Sequence, residues 1–291
     1  MKRLDVAGYL ERLGVDDPGL PSVDSLRRLH RAHVERVPYE NLEIQLGRPT
    51  SVDPVESAER IVRLCRGGYC FHLNGAFSEL LLALGYRVTR HVGGVQRTGD
   101  DMAQVNAGHM AVTVSGLSHD ECPAGVWFVD VGLGSALHEP VPLREGTYSQ
   151  GSFCYRLRGS DVEPDGWRFD NDPRGQFVGM DFRRHAADVA DFSAMHEYFS
   201  TAPESGFVRT AVVQRRHAAG YEILRGLVLT RVSAAGSTTT ILESPNAWYG
   251  ALADVFDLPL EDVAPGHRGR LWKRVESAHI EHEASRASGA D

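Results

Sequence analysis

No stretch of this sequence comes near the roughly 20 uninterrupted apolar residues that a membrane-spanning helix requires, so no membrane partner is expected. It has no lysine- or arginine-rich block, and its formal net charge is −8. That balance argues against nucleic acid or an anionic membrane as the main partner, although a small anion can still be bound locally. Cysteine is scarce. Cys65, Cys70, Cys122 and Cys154 are the four, at spacings that match neither a zinc site nor a dense disulfide framework. No metal is therefore expected. Met1-Lys2-Arg3-Leu4-Asp5 carries charge but has no apolar run behind it, so no signal peptide is expected. A reducing, cytoplasmic setting follows, and there a single well-placed cysteine points to chemistry rather than cross-linking. Internal repeats and low-complexity linkers are missing too, and the C-terminal half has no phosphate-cradling motif.

What is present is the make-up of an ordinary globular protein: 291 residues, 42% hydrophobic and 24% charged. That length suits one large domain or two to three small ones, with a sizeable core. The first 85 or so residues read as helical. Asp5 caps a helix carrying Val6, Tyr9, Leu10 and Leu13, which Gly14 ends. Ser22 opens a second, through Leu26, Leu29 and His33 or Val34, that stops before Pro38. Asp53-Pro54 gives a third helix a capping side chain and a proline at its first position, with Cys65 expected in its packed apolar face. Between the second and third helices, residues 37–42 are too short and mixed for a regular element and read as a turn with a packed Tyr39. A fourth helix begins at Cys70, because Leu73, Phe77, Leu80, Leu81 and Leu84 recur at helical steps before Gly85.

After Gly85 the pattern alternates. Strands are expected at Tyr86–Val92, with a bend or bulge at Gly93-Gly94, then at His109–Val114 and, beside it, Val126–Val131. The polar segment from Gly99 to Gly108 reads as a loop, and Ser115 to Gly125 as a turn-rich link in which His119 and Cys122 are neutral. Further strands are expected at Phe153–Leu157, Trp167–Asp170, Val208–Val213, Tyr221–Val232 and Thr238–Leu242. Helical stretches are expected from about Phe182 through Phe199, from Ser244-Pro245 through Phe256, and from Asp262 to about Ala284, with a frayed end to Asp291. A helical start, a β middle and a mixed end define an α+β fold with segregated elements.

Cys70 follows Arg66-Gly67-Gly68-Tyr69, which puts it in the first turn of a helix after a tight turn. Free N–H groups and the positive dipole end favour a thiolate there; an inert buried cysteine is the alternative. A thiol nucleophile needs a base within hydrogen-bond reach, and the base needs an orienting group. Most of the 13 histidines have ordinary places: His30 and His33 on a helix, His91 in mid-strand, and His72 on another face of the Cys70 helix. His109 differs, since it follows Gly108 and starts an apolar strand. Asp130 sits between Val129 and Val131, where a carboxylate is costly to bury unless paired. Pairing with His109 would satisfy it and fix the imidazole tautomer. Cys70, His109 and Asp130 are thus a candidate triad.

Arg66-Gly67-Gly68-Tyr69-Cys70-Phe71, then Gly108-His109-Met110, then Val129-Asp130-Val131-Gly132-Leu133-Gly134, resembles the arylamine N-acetyltransferase family, as does the earlier Pro38-Tyr39-Glu40-Asn41-Leu42. The resemblance extends to about residue 145. It implies catalysis by Cys70, His109 and Asp130, and a papain-like core divided into a helical domain (1–85) with the nucleophile, a β-barrel domain (86–195) with the histidine and aspartate, and an α/β lid (196–291). It implies acetyl-CoA as co-substrate with no bound cofactor, an aromatic amine or hydrazine as acceptor, and an acetyl-thioenzyme in a ping-pong cycle. A homodimer is compatible with it. It places Tyr39, Phe71 and Leu133 around the acceptor pocket and Phe182 on the lid side of the cleft. Leu133 stands where many relatives carry an aromatic, and Gly108 where many carry a hydroxyl residue; both widen the cleft or remove a contact. Three other readings remain open: an amide synthase of secondary metabolism that releases or cyclises a polyketide chain with the same triad, a cysteine protease or transglutaminase-like enzyme, and a non-catalytic binding module.

Overall fold

Capping chemistry bounds the N-terminal helices. In the computed structural model, which describes residues 3–288, Asp5 accepts from the Gly8 N–H and Gly14 turns left-handed, which frames α1 (Val6–Leu13). Ser22 caps α2 (Val23–Arg36) through the Ser25 N–H. The next segment is not the irregular turn expected: it holds β1 (Tyr39–Glu40) and α3 (Leu42–Gln45). Two residues become a strand because their partner lies far along the chain, Tyr39 opposite Gln214, which no local pattern reveals. Asp53 caps α4 (Pro54–Leu64) through the Val55 and Glu56 N–H groups. Cys65 is not a core residue: the helix ends on it, it takes a left-handed φ of 49°, and it is half-buried. α5 (Cys70–Ala83) then runs with Cys70 through Ser78 all buried, so it crosses the interior rather than covering it.

Eight strands follow: β2 (Arg87–Gln96), β3 (His109–Ser115), β4 (Val126–Phe128), β5 (Val141–Pro142), β6 (Gly146–Gln150), β7 (Phe153–Gly159), β8 (Trp167–Asp170) and β9 (Gly179–Phe182). They form one antiparallel, barrel-like sheet in the order β5-β4-β3-β2-β9-β8-β7-β6. The expected bend at Gly93-Gly94 is absent, because β2 pairs without a break through both glycines. The missing side chain serves close packing instead: a Cβ on Gly94 would lie 2.1 Å from the Gln104 carbonyl oxygen of the loop folded over it. β4 is also shorter than expected. Val129 still donates to Val112 O, but Asp130 has left the ladder to face α5. Phe182 closes β9 rather than opening a helix.

A 3₁₀ turn (Val189–Phe192) leads into α6 (Ser193–Thr201) and α7 (Gly206–Arg209), which takes the start of the strand expected at 208–213. A second antiparallel sheet has the order β1-β10-β11-β12-β13, with β10 (Val212–His217), β11 (Gly220–Arg225), β12 (Val228–Ser233) and β13 (Gly236–Ile241). The single strand expected over 221–232 is thus a hairpin, turned at Gly226 with φ 58°. Ser244 caps α8 (Pro245–Phe256), and α9 (Pro265–Ser288) runs past Ala284; the last three residues of the expected frayed end lie outside the described residues. Among the described residues no helix is long and apolar enough to cross a membrane.

Among the described residues four apolar cores hold these layers, one of them Tyr69, Cys70, Phe71, Val92, Met110 and Phe192 around the thiol. Tyr9, Leu26, Leu29, Ile61, Leu73 and Phe77 join the helices to Val112, Val114 and Trp127 of the sheet. Phe128, Tyr155, Phe169 and Phe182 fill the barrel. Trp248, Leu252, Phe256 and Leu271 pack α8 and α9 onto Val213, Leu224 and Leu229.

Three histidines are sealed in or beside these cores as neutral rings. Burial pushes His30 down to about 4 and His33 down to about 3, and holds His72 well below the ordinary histidine range. Unfolded, each titrates near ~6.5. The unfolded chain therefore binds more protons below that pH, and folding stability falls as pH drops from about 6.5 toward 4. Urea unfolding at pH 5.5 should give a stability lower than at pH 7.5, each of the three contributing roughly 1 kcal/mol while His109, raised to about 10 in the fold, acts in the opposite sense and offsets about one of them. His30→Gln should flatten that decline.

Candidate active site

The turn before α5 is packed so tightly that only glycine fits. A Cβ on Gly67 would sit 1.8 Å from Pro38 O, and one on Gly68 would sit 2.6 Å from His72 Cβ. Arg66 anchors the turn from below. Its guanidinium, fully buried, lies 2.9 Å from Glu43, 3.4 Å from Asp262 and 3.6 Å from Glu40. Burial would discharge it, but those carboxylates outweigh burial and hold it charged above the ordinary arginine range. On the other side the Tyr69 hydroxyl donates to His196 Nδ1, and His196 Nε2 donates to Thr50 O at 2.9 Å. Both bonds fit one neutral tautomer.

This turn delivers Cys70 to the start of α5 with Tyr69 as its N-cap. Tyr69 provides no capping side chain, so the N–H groups of Cys70 and Phe71 have no side-chain acceptor at the helix start. The Cys70 thiol, 3% exposed at the residue level, lies 3.8 Å from Gly108 O. His109 begins β3 and directs Nε2 to Asp130 Oδ2 at 2.7 Å. That leaves Nδ1 on the side of Cys70. Burial alone would lower the imidazole, but the Asp130 charge and hydrogen bond, with the nearby Cys70, overcome it and push His109 up to about 10.

Asp130 is fully satisfied although buried. Its Oδ1 accepts from Asn74 Nδ2 at 2.7 Å and from the Gly132 N–H at 2.9 Å. Asn74 also donates to Met110 O and accepts from the Val131 N–H at 2.9 Å. It therefore clamps the aspartate segment, the histidine strand and the nucleophile helix together. Asn74 was missed in reading the sequence, although it stands four residues after Cys70 and so on the same helix face. Gly132 is the other positioning residue: a Cβ there would lie 2.7 Å from Cys70 Cα and 2.8 Å from Asn74 Nδ2.

The thiol and the imidazole open into a cleft of about 160 Å³. Tyr39 and Leu133 line it. Phe71 and Phe182 do not. Phe71 turns away from the thiol, fully buried, and stacks on Phe199 at 5.8 Å. Phe182 faces the barrel interior, stacked on Phe128 at 5.3 Å. One helix step past Cys70 and an inward position on β9 account for the two corrections. The aromatic walls are instead Phe177, Phe199 and Phe207, with Arg97, Gln214 and Arg225 among the polar ones. Nothing in the sequence marked these residues, which come from separate loops and elements. Among the described residues no group of three or more His, Cys, Asp or Glu side chains is placed to hold a metal ion.

A thiol, an imidazole it can share a proton with, and a carboxylate on the far ring nitrogen make a site for nucleophilic acyl transfer through sulfur. The comparisons agree in class. Residues 22–264 match the family model described as N-acetyltransferase. The chain is 29% identical over 297 residues to the arylamine N-acetyltransferase of Mycobacterium tuberculosis, covering 99% of each. It is 30% identical over 267 residues to that of Mycolicibacterium smegmatis, covering 90% of this chain and 94% of the other. The fold superposes on the Mycobacterium marinum arylamine N-acetyltransferase in complex with CoA with a TM-score of 0.83 at 29% identity, over 94% of this chain and 99% of that one. The chain belongs to the arylamine N-acetyltransferase family, and it is an acyltransferase.

Two substitutions test the clamp. Gly132→Ala must push the aspartate segment off Cys70, and Asn74→Ala strips Asp130 of its strongest amide donor. Each should slow alkylation of Cys70 by iodoacetamide at pH 7 by about 10-fold or more, through loss of the base's alignment. Far-ultraviolet circular dichroism should be unchanged.

Proposed function

We propose that this enzyme transfers an acetyl group from acetyl-CoA to the nitrogen of an arylamine or arylhydrazine through an acetyl-Cys70 intermediate. The observation that carries this reading is the 2.7 Å His109–Asp130 contact behind a thiol at the start of a buried helix. His109 holds the proton and Cys70 attacks the thioester carbonyl. The sulfur–carbon bond forms as the carbonyl becomes an oxyanion, which the N–H groups at the start of α5 stabilise. Collapse expels the CoA thiolate, which takes the proton from His109. The amine then attacks the acetyl carbon, His109 accepts its proton, and the Cys70 thiolate departs. Asp130 keeps the ring oriented and balances its positive charge throughout.

Within this reading, residues 1–85, 86–195 and 196–291 form a helical domain, a barrel domain and an α/β lid around a papain-like core. The β1–β10 pairing places residues 39–40 of the first in the sheet of the third, so the two regions are joined. The cleft of about 160 Å³ at the thiol has room for one aromatic ring.

Intact mass after mixing with acetyl-CoA is the direct test. One added acetyl group, absent in Cys70→Ala, is expected; no adduct on a thiol that still alkylates would sink the proposal. Double-reciprocal plots at several amine concentrations should be parallel. Asp130→Asn should lower turnover by roughly 10³- to 10⁴-fold, the scale seen when a triad carboxylate is lost.

A further inference from the structure

Four side-chain amides are buried among the described residues: Asn41, Gln45, Asn74 and Gln214. The backbone holds three of them. Asn41 donates to the Phe207 and Thr210 carbonyls, Gln45 to those of Phe207 and Val208, and Asn74 to that of Met110. Gln214 differs. It is 8% exposed, yet its Oε1 is sealed without a donor and its Nε2 has no acceptor among the described residues. Buried polar groups of folded proteins are bonded with few exceptions. Of the buried side-chain atoms left without a partner among the described residues, Gln214 Oε1 is the one whose residue lines the thiol cleft.

The fold makes room for this carboxamide. A Cβ on Gly134 would lie 2.6 Å from Gln214 Oε1, and Gly134 takes a left-handed φ of 63°, which glycine adopts without strain. Tyr39 stands directly opposite Gln214 in the β1–β10 ladder and lines the same cleft. Gly132, two residues before Gly134, makes the corresponding close approach to Cys70. Two residues span at most ~7 Å, the scale of one substituted aromatic ring. A ring whose amine meets the acetylated thiol therefore brings a substituent within reach of the amide. Gln214 is uncharged, and with no protein partner on either atom its amide can turn an N–H or the C=O to a ligand without breaking a bond. A neutral polar group is its natural partner.

We infer that Gln214 is a specificity-determining residue, which hydrogen-bonds a neutral polar substituent such as a hydroxyl on the ring of the acceptor amine. This rests on the acetyl-transfer reading and narrows its acceptor. An apolar substituent of the same size leaves the amide both unpaired and cut off from water, and a site built around a hydrogen bond discriminates against such an analogue.

Wild type, Gln214→Leu and Gln214→Met are compared on aminophenols and the matching toluidines, 3- and 4-substituted, with acetyl-CoA. Within each pair a methyl takes the place of a hydroxyl of similar size. Differences in amine basicity are common to the three proteins and cancel between them. In a double displacement kcat/KM for the amine reports the second half-reaction only, so donor binding does not enter it. Wild type should favour the hydroxyl in at least one pair, and each substitution should cut that preference by about 10-fold. Unaltered preferences with acetyl transfer intact overturn the inference, as does a change confined to KM for acetyl-CoA; both leave the acetyl-transfer reading standing. Melting temperature separates recognition from support. Removing an amide that bonds nothing should leave Gln214→Met as stable as wild type, whereas Gln45→Met, which loses two backbone contacts, should melt lower. A Gln214→Met protein that melts as low as Gln45→Met overturns the inference too. If no amine is acetylated, the acetyl-transfer reading fails, and protection of Cys70 against iodoacetamide decides the contact alone. Phenol should then protect wild type better than toluene does and lose that advantage in both Gln214 variants; equal protection overturns it.

Discussion

The structure depends on a buried carboxylate. Asp130 sits 1% exposed between three elements, where an unmatched charge would cost several kcal/mol. Every donor that meets it comes from a different part of the site: the His109 ring from β3, the Asn74 amide from α5, and the Gly132 N–H from its own segment. The carboxylate therefore does structural and chemical duty at once. It draws the helix that carries the thiol and the strand that carries the base to one point, and its charge keeps the imidazole protonated. Gly132 is the steric counterpart, because the segment can come this close to Cys70 only without a side chain.

A second constraint lies below the thiol. Arg66 meets Glu40 and Glu43 from the N-terminal region and Asp262 from the segment before α9. A buried guanidinium of this kind contributes little net stability against an apolar substitute, but it permits few alternative arrangements. Here it locks the Gly-Gly turn to both ends of the chain. Asn41 acts similarly, donating to Phe207 O and Thr210 O and accepting from the Val212 N–H.

What could be read from the sequence was what local chemistry decides. Asp5, Ser22, Asp53 and Ser244 cap the helices expected of them, since a capping side chain acts over two or three residues. Cys70, His109 and Asp130 stand out in the sequence because each is at a boundary or in a cost-bearing position: a helix start, a strand start, an apolar run. What could not be read was decided at a distance. β1 takes its ladder partners, Gln214 and Val213, from far along the chain. Phe71 and Phe182 point away from the cleft because of their neighbours' packing, while Phe177, Phe199 and Phe207 arrive in it from three separate segments. Cys65 missed the core by a single residue, where α4 ended.

The β1–β10 pairing sets an order of events. Cys70, His109 and Asp130 all lie in the first half of the chain, and N-terminal regions leave the ribosome first. Tyr39, however, gains its strand partner Gln214 only late in synthesis, and Phe207 and Arg225 of the same wall also belong to that late part of the chain. Cys70, His109 and Asp130 can thus approach one another early, but the turn that carries Cys70 receives its last anchors, His196 and Asp262, only with the late part of the chain. The thiol's position and the wall beside it are completed together.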